Sequence, residues 1–471
     1  MTNESGSSQS SQQEAAAWVR TELESADFGD ERLHKRALRI LERFWAHPQW
    51  SIPTAMGCWA ETKATYRFIT NPRVTAERIL GPHKEATASR MKEHPVVLAV
   101  QDTTELNYTS HEALEDIGTI GSSRTLLGML VHSTIAFTPE RLPVGILDQH
   151  TWVRPVEEFG KKASRAQRPI EEKESFKWLL SVKTVEAIQQ QLPDVQFVSV
   201  GDREADIYEL FAYAEGLRTR LLVRANVDRS LENEEDCLWK HMEAQPAAQT
   251  LEMVLPVKKS KKVRTATVEV RFAPVTLRPP RAHQGEGKPV DIHAVYVNEP
   301  NPPAGVAPLS WMLLTTIPVS DADGALTVAS HYSVRWGIEV FHRILKTGCR
   351  IEERQLQSAE RIRTCLALDS LVAWRIQFLT ILGRETPELP CDVVFEEYEW
   401  KALYCFVHKT TKPPAEPPPL REAVKMLARV GGFLARKRDG HPGPTVLWRG
   451  LQELATICFA WFAFGPGRPQ S

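Results

Sequence analysis

Tyr332, Arg335, Glu339 and Lys346 stand at i, i+3, i+7 and i+14 in the run from Tyr332 through Trp336 to Lys346. At about 100° per residue, a helix gathers all four within roughly 60° of one another. One face then carries a phenol, a guanidinium, a carboxylate and an ammonium. A core-facing stripe would be apolar, and a solvated face has no need of the tyrosine. Cations either side of a carboxylate suit a site that holds a metal ion and grips phosphate.

Two aspartates upstream extend the thought. Val96 to Gln101 is an apolar, strand-like run that ends in Asp102, and Val195 to Gly201 repeats the design before Asp202. Sites in α/β sheets are built where such strands end. An aspartate there can equally cap a turn or a helix. Two similar strand ends, followed by the four-residue helix face, favour the site. Asp102, Asp202 and Glu339 are the candidate catalytic residues and the candidate ligands of two Mg²⁺ or Mn²⁺ ions. Hard cations prefer carboxylate oxygens, and two of them about 4 Å apart stabilise both oxygens of an in-line phosphoryl displacement.

These residues resemble the cut-and-paste DDE transposases of the Tn5 type, in the IS-four family. The matching blocks are Gln101-Asp102-Thr-Thr, Asp202-Arg203-Glu-Ala-Asp206, and the spaced Tyr332, Arg335, Glu339 and Lys346. Similarity runs from Phe28-Gly-Asp through Tyr66-Arg-Phe-Ile-Thr-Asn-Pro to Ala428-Arg-Val-Gly-Gly-Phe433. The resemblance implies that Asp102, Asp202 and Glu339 form the catalytic triad and that Tyr332, Arg335 and Lys346 clamp DNA. It implies a hairpin intermediate with a flipped base, and Trp311 matches the stacking tryptophan. It also implies a dimer in a synaptic complex on double-stranded DNA, at work in a bacterial cytoplasm beside the nucleoid. Trp336 is a second aromatic candidate. His342, Arg203 and Arg224 are further candidate DNA contacts. The segment Glu172 to Trp178 belongs to the resemblance without an assigned role.

The elements that must hold these residues can be read from the same chain. Its 471 residues allow two or three domains. With 42% hydrophobic and 25% charged residues it reads as an ordinary globular protein, without an apolar run of membrane-spanning length. The first residues lack the basic and apolar regions of a secretory signal. Seven scattered cysteines, none in a CxxC pair, fit a reducing compartment and argue against a zinc site. The net charge of −1 sits in tension with a DNA-binding protein, so the distribution of charge has to carry the affinity.

The expected fold class is α/β. An RNase H-like catalytic domain over about 81–385 is interrupted by an antiparallel β insertion at about 226–320. A helical DNA-binding domain (14–80) and a helical dimerisation domain (386–471) flank it, after a disordered tail at 1–13. Strands are expected at 96–101, 128–136, 143–152, 195–200 and 220–225, and helix at about 172–191, 204–216 and 325–385. Near the N-terminus, Asp30 caps a helix with Leu33, Ala37, Ile40 and Phe44 as its apolar stripe. Arg32, Arg36, Arg39 and Arg43 form a basic edge that suits a DNA groove, or simply a solvated face. A second helix spans Pro53 to about Thr70. Lys258, Lys259, Lys261, Lys262 and Arg264 make a basic hairpin tip. The aromatic tail from Phe459 to Phe464 is a candidate self-association seam.

Two other classes remain open on the sequence. A DNA-binding regulator with a vestigial site would bind terminal repeats without metal-dependent cutting. A glycosidase would explain paired carboxylates, but not Arg335 and Lys346 beside Glu339.

Overall fold

The structure, a computed structural model, describes residues 16–160, 168–232, 234–256, 263–280 and 287–465. It divides into two compact units. One takes in the residues up to 83, residues 364–372 and those from 386 onward; the other comprises 84–363 and 373–385.

The N-terminal helices of the first unit are α1 (Ala17–Leu23), α2 (Glu31–Ala46), α3 (Ile52–Met56), α4 (Trp59–Ile69) and the first half of α5 (Ala76–Met91). Asp30 caps α2 as expected, accepting a hydrogen bond from the Arg32 amide at 2.9 Å. Ala37, Ile40 and Phe44 are buried along it, joined by Leu41 and Trp45. The single helix expected from Pro53 to Thr70 is two. Gly57 takes φ +77°, a left-handed value that ends α3 and lets the chain turn into α4.

The second unit is built on one ten-stranded sheet: β1 (Val96–Asn107), β2 (Gly118–Thr119), β3 (Leu127–Phe137), β4 (Pro143–Trp152), β5 (Gln196–Gly201), β6 (Arg220–Arg224), β7 (Gln249–Pro256), β8 (Val263–Leu277), β9 (Val290–Asn298) and β10 (Ser310–Thr315). In space the core strands run β4-β3-β1-β5-β6. The first two pairings are antiparallel and the last two parallel. This is the mixed order expected of an RNase H-like domain, reached by placing helices between the parallel strands. They are α6 (Phe176–Gln191), between β4 and β5, and α7 (Tyr208–Ala214), between β5 and β6. A further short helix, α8 (Leu238–Glu243), leads into β7.

The insertion is antiparallel, as its alternating residues predict, but it is no separate subdomain. β10 pairs with β6, and β9, β8 and β7 follow outward, so the insertion lengthens the same sheet. The lysines of the expected basic tip, 258 to 262, lie outside the described residues.

The helix expected over 325–385 is broken. It comprises α9 (Ala322–Ser333), α10 (Trp336–Arg343), a π-helical turn at Ile344–Gly348 and α11 (Ala359–Glu385). α11 contributes residues to both units. It is long and apolar enough to cross a membrane, which the sequence reading did not expect. However, 83% of its apolar window is buried inside the protein, as in a core helix.

Beyond residue 385 the first unit continues with α12 (Glu397–His408), α13 (Leu420–Val430) and α14 (Pro444–Phe464). The flanking segments, read from the sequence as two domains, share this one unit. The Ala17 amide donates to Glu396 at 2.7 Å, and Gln452 meets Gln49 at 3.4 Å. Within it Phe406, Phe459 and Phe464 stay exposed.

Candidate active site

The site forms where β1 outlasts its neighbour. Parallel pairing with β5 stops at Val100 opposite Val200, while β1 continues against β3 to Asn107. Asp102 is therefore mid-strand, not at a strand end as the apolar run suggests. It is at the carboxyl end of β5 that the crevice opens, and Asp202 is the first residue beyond that strand. Asp202 does cap a turn: its Oδ1 accepts from the Glu204 amide at 2.8 Å. Capping and site roles are compatible, because the turn directs the carboxylate. Asp102 Oδ1 accepts from the Thr103 amide at 2.8 Å, which leaves Oδ2 toward the crevice.

Glu339 arrives on α10. Gly337 allows the approach, since a Cβ there would lie 2.7 Å from the ring of Phe137 on β3. The four-residue face is not carried by one regular helix. Around Val334 to Ile338 the backbone bonds tighten to i→i−3 (Arg335 to Tyr332 at 3.0 Å, Ile338 to Arg335 at 3.2 Å). After Arg343 they widen, with the Cys349 amide reaching Ile344 at 2.8 Å. Such irregularities inside helices concentrate at functional sites. Here they set Arg335 and Glu339 against Asp102 and carry Lys346 further along β1.

The Arg335 guanidinium lies 3.5 Å from Asp102 and 3.2 Å from Glu339. Even so, the Asp102 carboxyl is pushed up to about 7, chiefly by burial and then by the negative field of Asp202 and Glu339. Tyr332 is buried, which raises its pKa; Arg224 and Arg335 face it and work against the rise. Arg224 is pulled down by burial, hydrogen-bonds Tyr332 and donates to the Ser310 carbonyl at 2.8 Å. Arg203, exposed on the turn after Asp202, adds its field there.

Among the described residues, no three His, Cys, Asp or Glu side chains stand close enough to hold one metal ion. By chemistry the donor set nevertheless fits a hard divalent cation. Three carboxylates share a crevice, one is driven toward protonation by burial and then by the other two, and a guanidinium sits between two of them.

The remaining sequence candidates separate. Trp311 packs edge-on against Tyr332, ring centres 5.5 Å apart, so it is no free stacking platform. Trp336, at the start of α10, is 65% exposed. Lys346 bonds the Glu105 carbonyl and lies 3.6 Å from Glu352. His342 is turned inward: burial first, then Lys346 and Arg335, lower its pKa to about 3, and its Nε2 has no partner. A buried, neutral imidazole is no phosphate contact in this conformation.

On α2 in the other unit, Arg32 pairs with Asp30 at 2.9 Å, Arg36 with Glu61, and Arg39 with Glu61 at 3.2 Å. Arg43 is exposed. The basic edge is thus partly neutralised by its own surface.

Sequence reasoning missed the groups behind the site. Asp206, quoted only as part of a block, is buried against Arg229 at 2.6 Å and accepts from the Asn226 and Val227 amides. Lys177, in the segment without a role, reaches Glu204 at 3.4 Å beside Asp202. On β3, His132 bonds both polar neighbours of Asp102. Gln101 and Thr103, polar residues in an otherwise apolar strand, were the available signal.

The mixed α/β sheet thus brings three carboxylates and a guanidinium to a parallel strand end, where open α/β sheets place their ligand sites. Comparison with known proteins narrows this. Residues 15–74 match the transposase DNA-binding family, and residues 371–463 match the Tn5 transposase dimerisation domain. Among solved structures, the piggyBac transposase synaptic complex with hairpin DNA aligns over 79% of this chain and 72% of that one. The two are 8% identical, with a TM-score of 0.34. The two domain matches lie at the two ends of the chain and support a Tn5-type transposase. They point to a DNA transposase with a DNA-binding and a dimerisation domain.

Proposed function

We propose that the chain performs cut-and-paste transposition. It nicks DNA at terminal inverted repeats, closes each end as a hairpin and joins the freed ends to target DNA. Asp102, Asp202 and Glu339 would hold two Mg²⁺ or Mn²⁺ ions. The observation that carries this reading is the Asp102 carboxyl, pushed up to about 7 in a crevice it shares with the two other acids. Three buried or half-buried anions at one strand end are costly unless a cation joins them.

When bound, the ions supply Lewis acidity at the attacking and leaving oxygens of the scissile phosphate. The rest falls to the chain. Arg335 holds Asp102 and Glu339 in register and can present its planar fork to a phosphate. Tyr332 and Arg224 brace one another at the rim of the crevice, and Arg203 extends the positive field toward solvent. Trp336 offers an open aromatic face for an unstacked base, an interaction worth about 1–3 kcal/mol. Trp311, wedged against Tyr332, would instead hold that rim in place. The α2 arginines and the two-domain matches support end recognition and pairing of two copies.

The test is a time course on end-labelled DNA carrying the inverted repeats that flank the protein's own reading frame. A Mg²⁺-dependent nick followed by a hairpin supports the reading. Cutting of both strands without a hairpin removes the hairpin step. Tight binding without cutting in either metal favours the regulator.

A further inference from the structure

Behind Asp102 a line of hydrogen bonds crosses three strands. The Ser199 hydroxyl on β5 accepts from Gln101 Nε2 at 2.7 Å. Gln101 Oε1 meets His132 Nε2 at 3.1 Å, and His132 Nδ1 meets the Thr103 hydroxyl at 2.9 Å. All of it lies on the face of β1 opposite the Asp102 side chain, because alternate residues of a strand point opposite ways. His132 stands across from Thr103 in the β1–β3 register and is 2% exposed. The indole of Trp178 meets its ring edge-on at 4.8 Å.

The bonding fixes the tautomer. An amide oxygen can only accept, so His132 Nε2 carries the proton toward Gln101. Nδ1 is then left to accept from the Thr103 hydroxyl. Thr103 is thus held by its side chain from one face while its amide donates to Asp102 Oδ1 at 2.8 Å. The imidazole therefore reaches the carboxylate through a single residue.

We propose that His132 is a positioning residue: through Thr103 it sets the orientation of the Asp102 carboxylate toward its divalent cation. This rests on the reading of Asp102 as a metal ligand. Groups that orient metal ligands through hydrogen bonds typically change metal affinity or activity about 10–100-fold when removed.

The test is direct Mn²⁺ binding to the metal-free full-length protein, read as free Mn²⁺ by electron paramagnetic resonance, with thermal stability and end-DNA binding alongside. His132→Gln keeps a donor toward Gln101 but loses the Thr103 bond; it is expected to weaken Mn²⁺ binding about tenfold. His132→Asn keeps an acceptor near Nδ1 and is expected to stay within about threefold of wild type. Thr103→Val, which removes only the hydroxyl, should match His132→Gln, and the double variant should be no weaker than either single one. Should His132→Gln fold poorly, Thr103→Val decides.

Wild-type Mn²⁺ affinity in both His132→Gln and Thr103→Val, with Asp102→Ala impaired, would overturn the positioning role alone. Wild-type affinity in Asp102→Ala would bring down the ligand assignment itself and this inference with it.

Discussion

Two regions of the molecule set arginines against carboxylates, with opposite outcomes. Along α2, Arg36 and Arg39 share Glu61, and Arg32 turns back to its own cap Asp30. Arg32 is largely solvated and Arg39 half so, while Arg36 and Glu61 are partly buried; each acid here is matched by at least one cation, so the pairs chiefly reduce the charge available to a phosphate. At the crevice, Arg335 also shares two acids, Asp102 and Glu339. There burial removes water, Asp202 adds a third negative charge, and one cation is not enough to keep Asp102 in the usual carboxylate range. The same residue types thus give a quenched surface in one place and an unmet demand for positive charge in the other. Burial and the third acid make the difference.

Removing an acid from the crevice should break this contrast most severely. Glu339→Ala is expected to reduce cutting to background in a nicking assay while end binding persists in gel shift. Arg335→Ala comes next. Without the guanidinium, Asp102 should rise further, by about one pKa unit or more. The pH midpoint for Mn²⁺ binding should move up by the same amount. An unmoved midpoint would detach Arg335 from Asp102.

On α2 the expected change runs toward tighter binding. Glu61→Gln frees Arg36 and Arg39, so end-DNA affinity should rise and the slope of log K against log salt should steepen by about 1–2. Arg43→Ala should shallow the slope by about 1, and Arg32→Ala by less, because Asp30 already holds it. An unchanged slope in Glu61→Gln would remove α2 from the DNA interface.

The smallest effect is on stability. The folded pKa of Asp102, about 7, lies above the ordinary value. Its contribution is therefore present at low pH and is lost as pH rises through 7, where a buried charge appears. Asp102→Asn should raise the melting temperature by a few degrees at pH 8 and by nothing near pH 4, in metal-free buffer.

Much of this was legible from residue spacing. The apolar runs located β1, β3, β5 and β6 to within a residue or two of their N-terminal ends, because buried strands have to be apolar. Asp102, Asp202, Arg335 and Glu339 meet because their strands and helix do. The extension of β1 past Asp102 was not legible: after the apolar run ends, Thr103 to Asn107 is held by pairing with β3, a long-range event. The breaks around Val334 and Ile344 were hidden too: Gly337 and Gly348 weaken a helix there, but packing selects the tighter and wider turns. Exposure also separates residues that composition treats alike. Trp311, matched by resemblance to the stacking tryptophan, is wedged against Tyr332, while Trp336, the second aromatic candidate, is open to solvent. The partners of α2 were the hardest to foresee, because Glu61 comes from α4, more than a turn and a helix away in sequence.

The most direct test of the account is cutting by Asp102→Ala, Asp202→Ala and Glu339→Ala on inverted-repeat DNA, each titrated with Mg²⁺ and Mn²⁺ beside the wild type. The account predicts divalent-dependent nicks at the repeat tips in the wild type and none in any of the three variants, all of which still bind the ends. Cutting without a divalent ion, or by any one of the three at the wild-type rate, would contradict it.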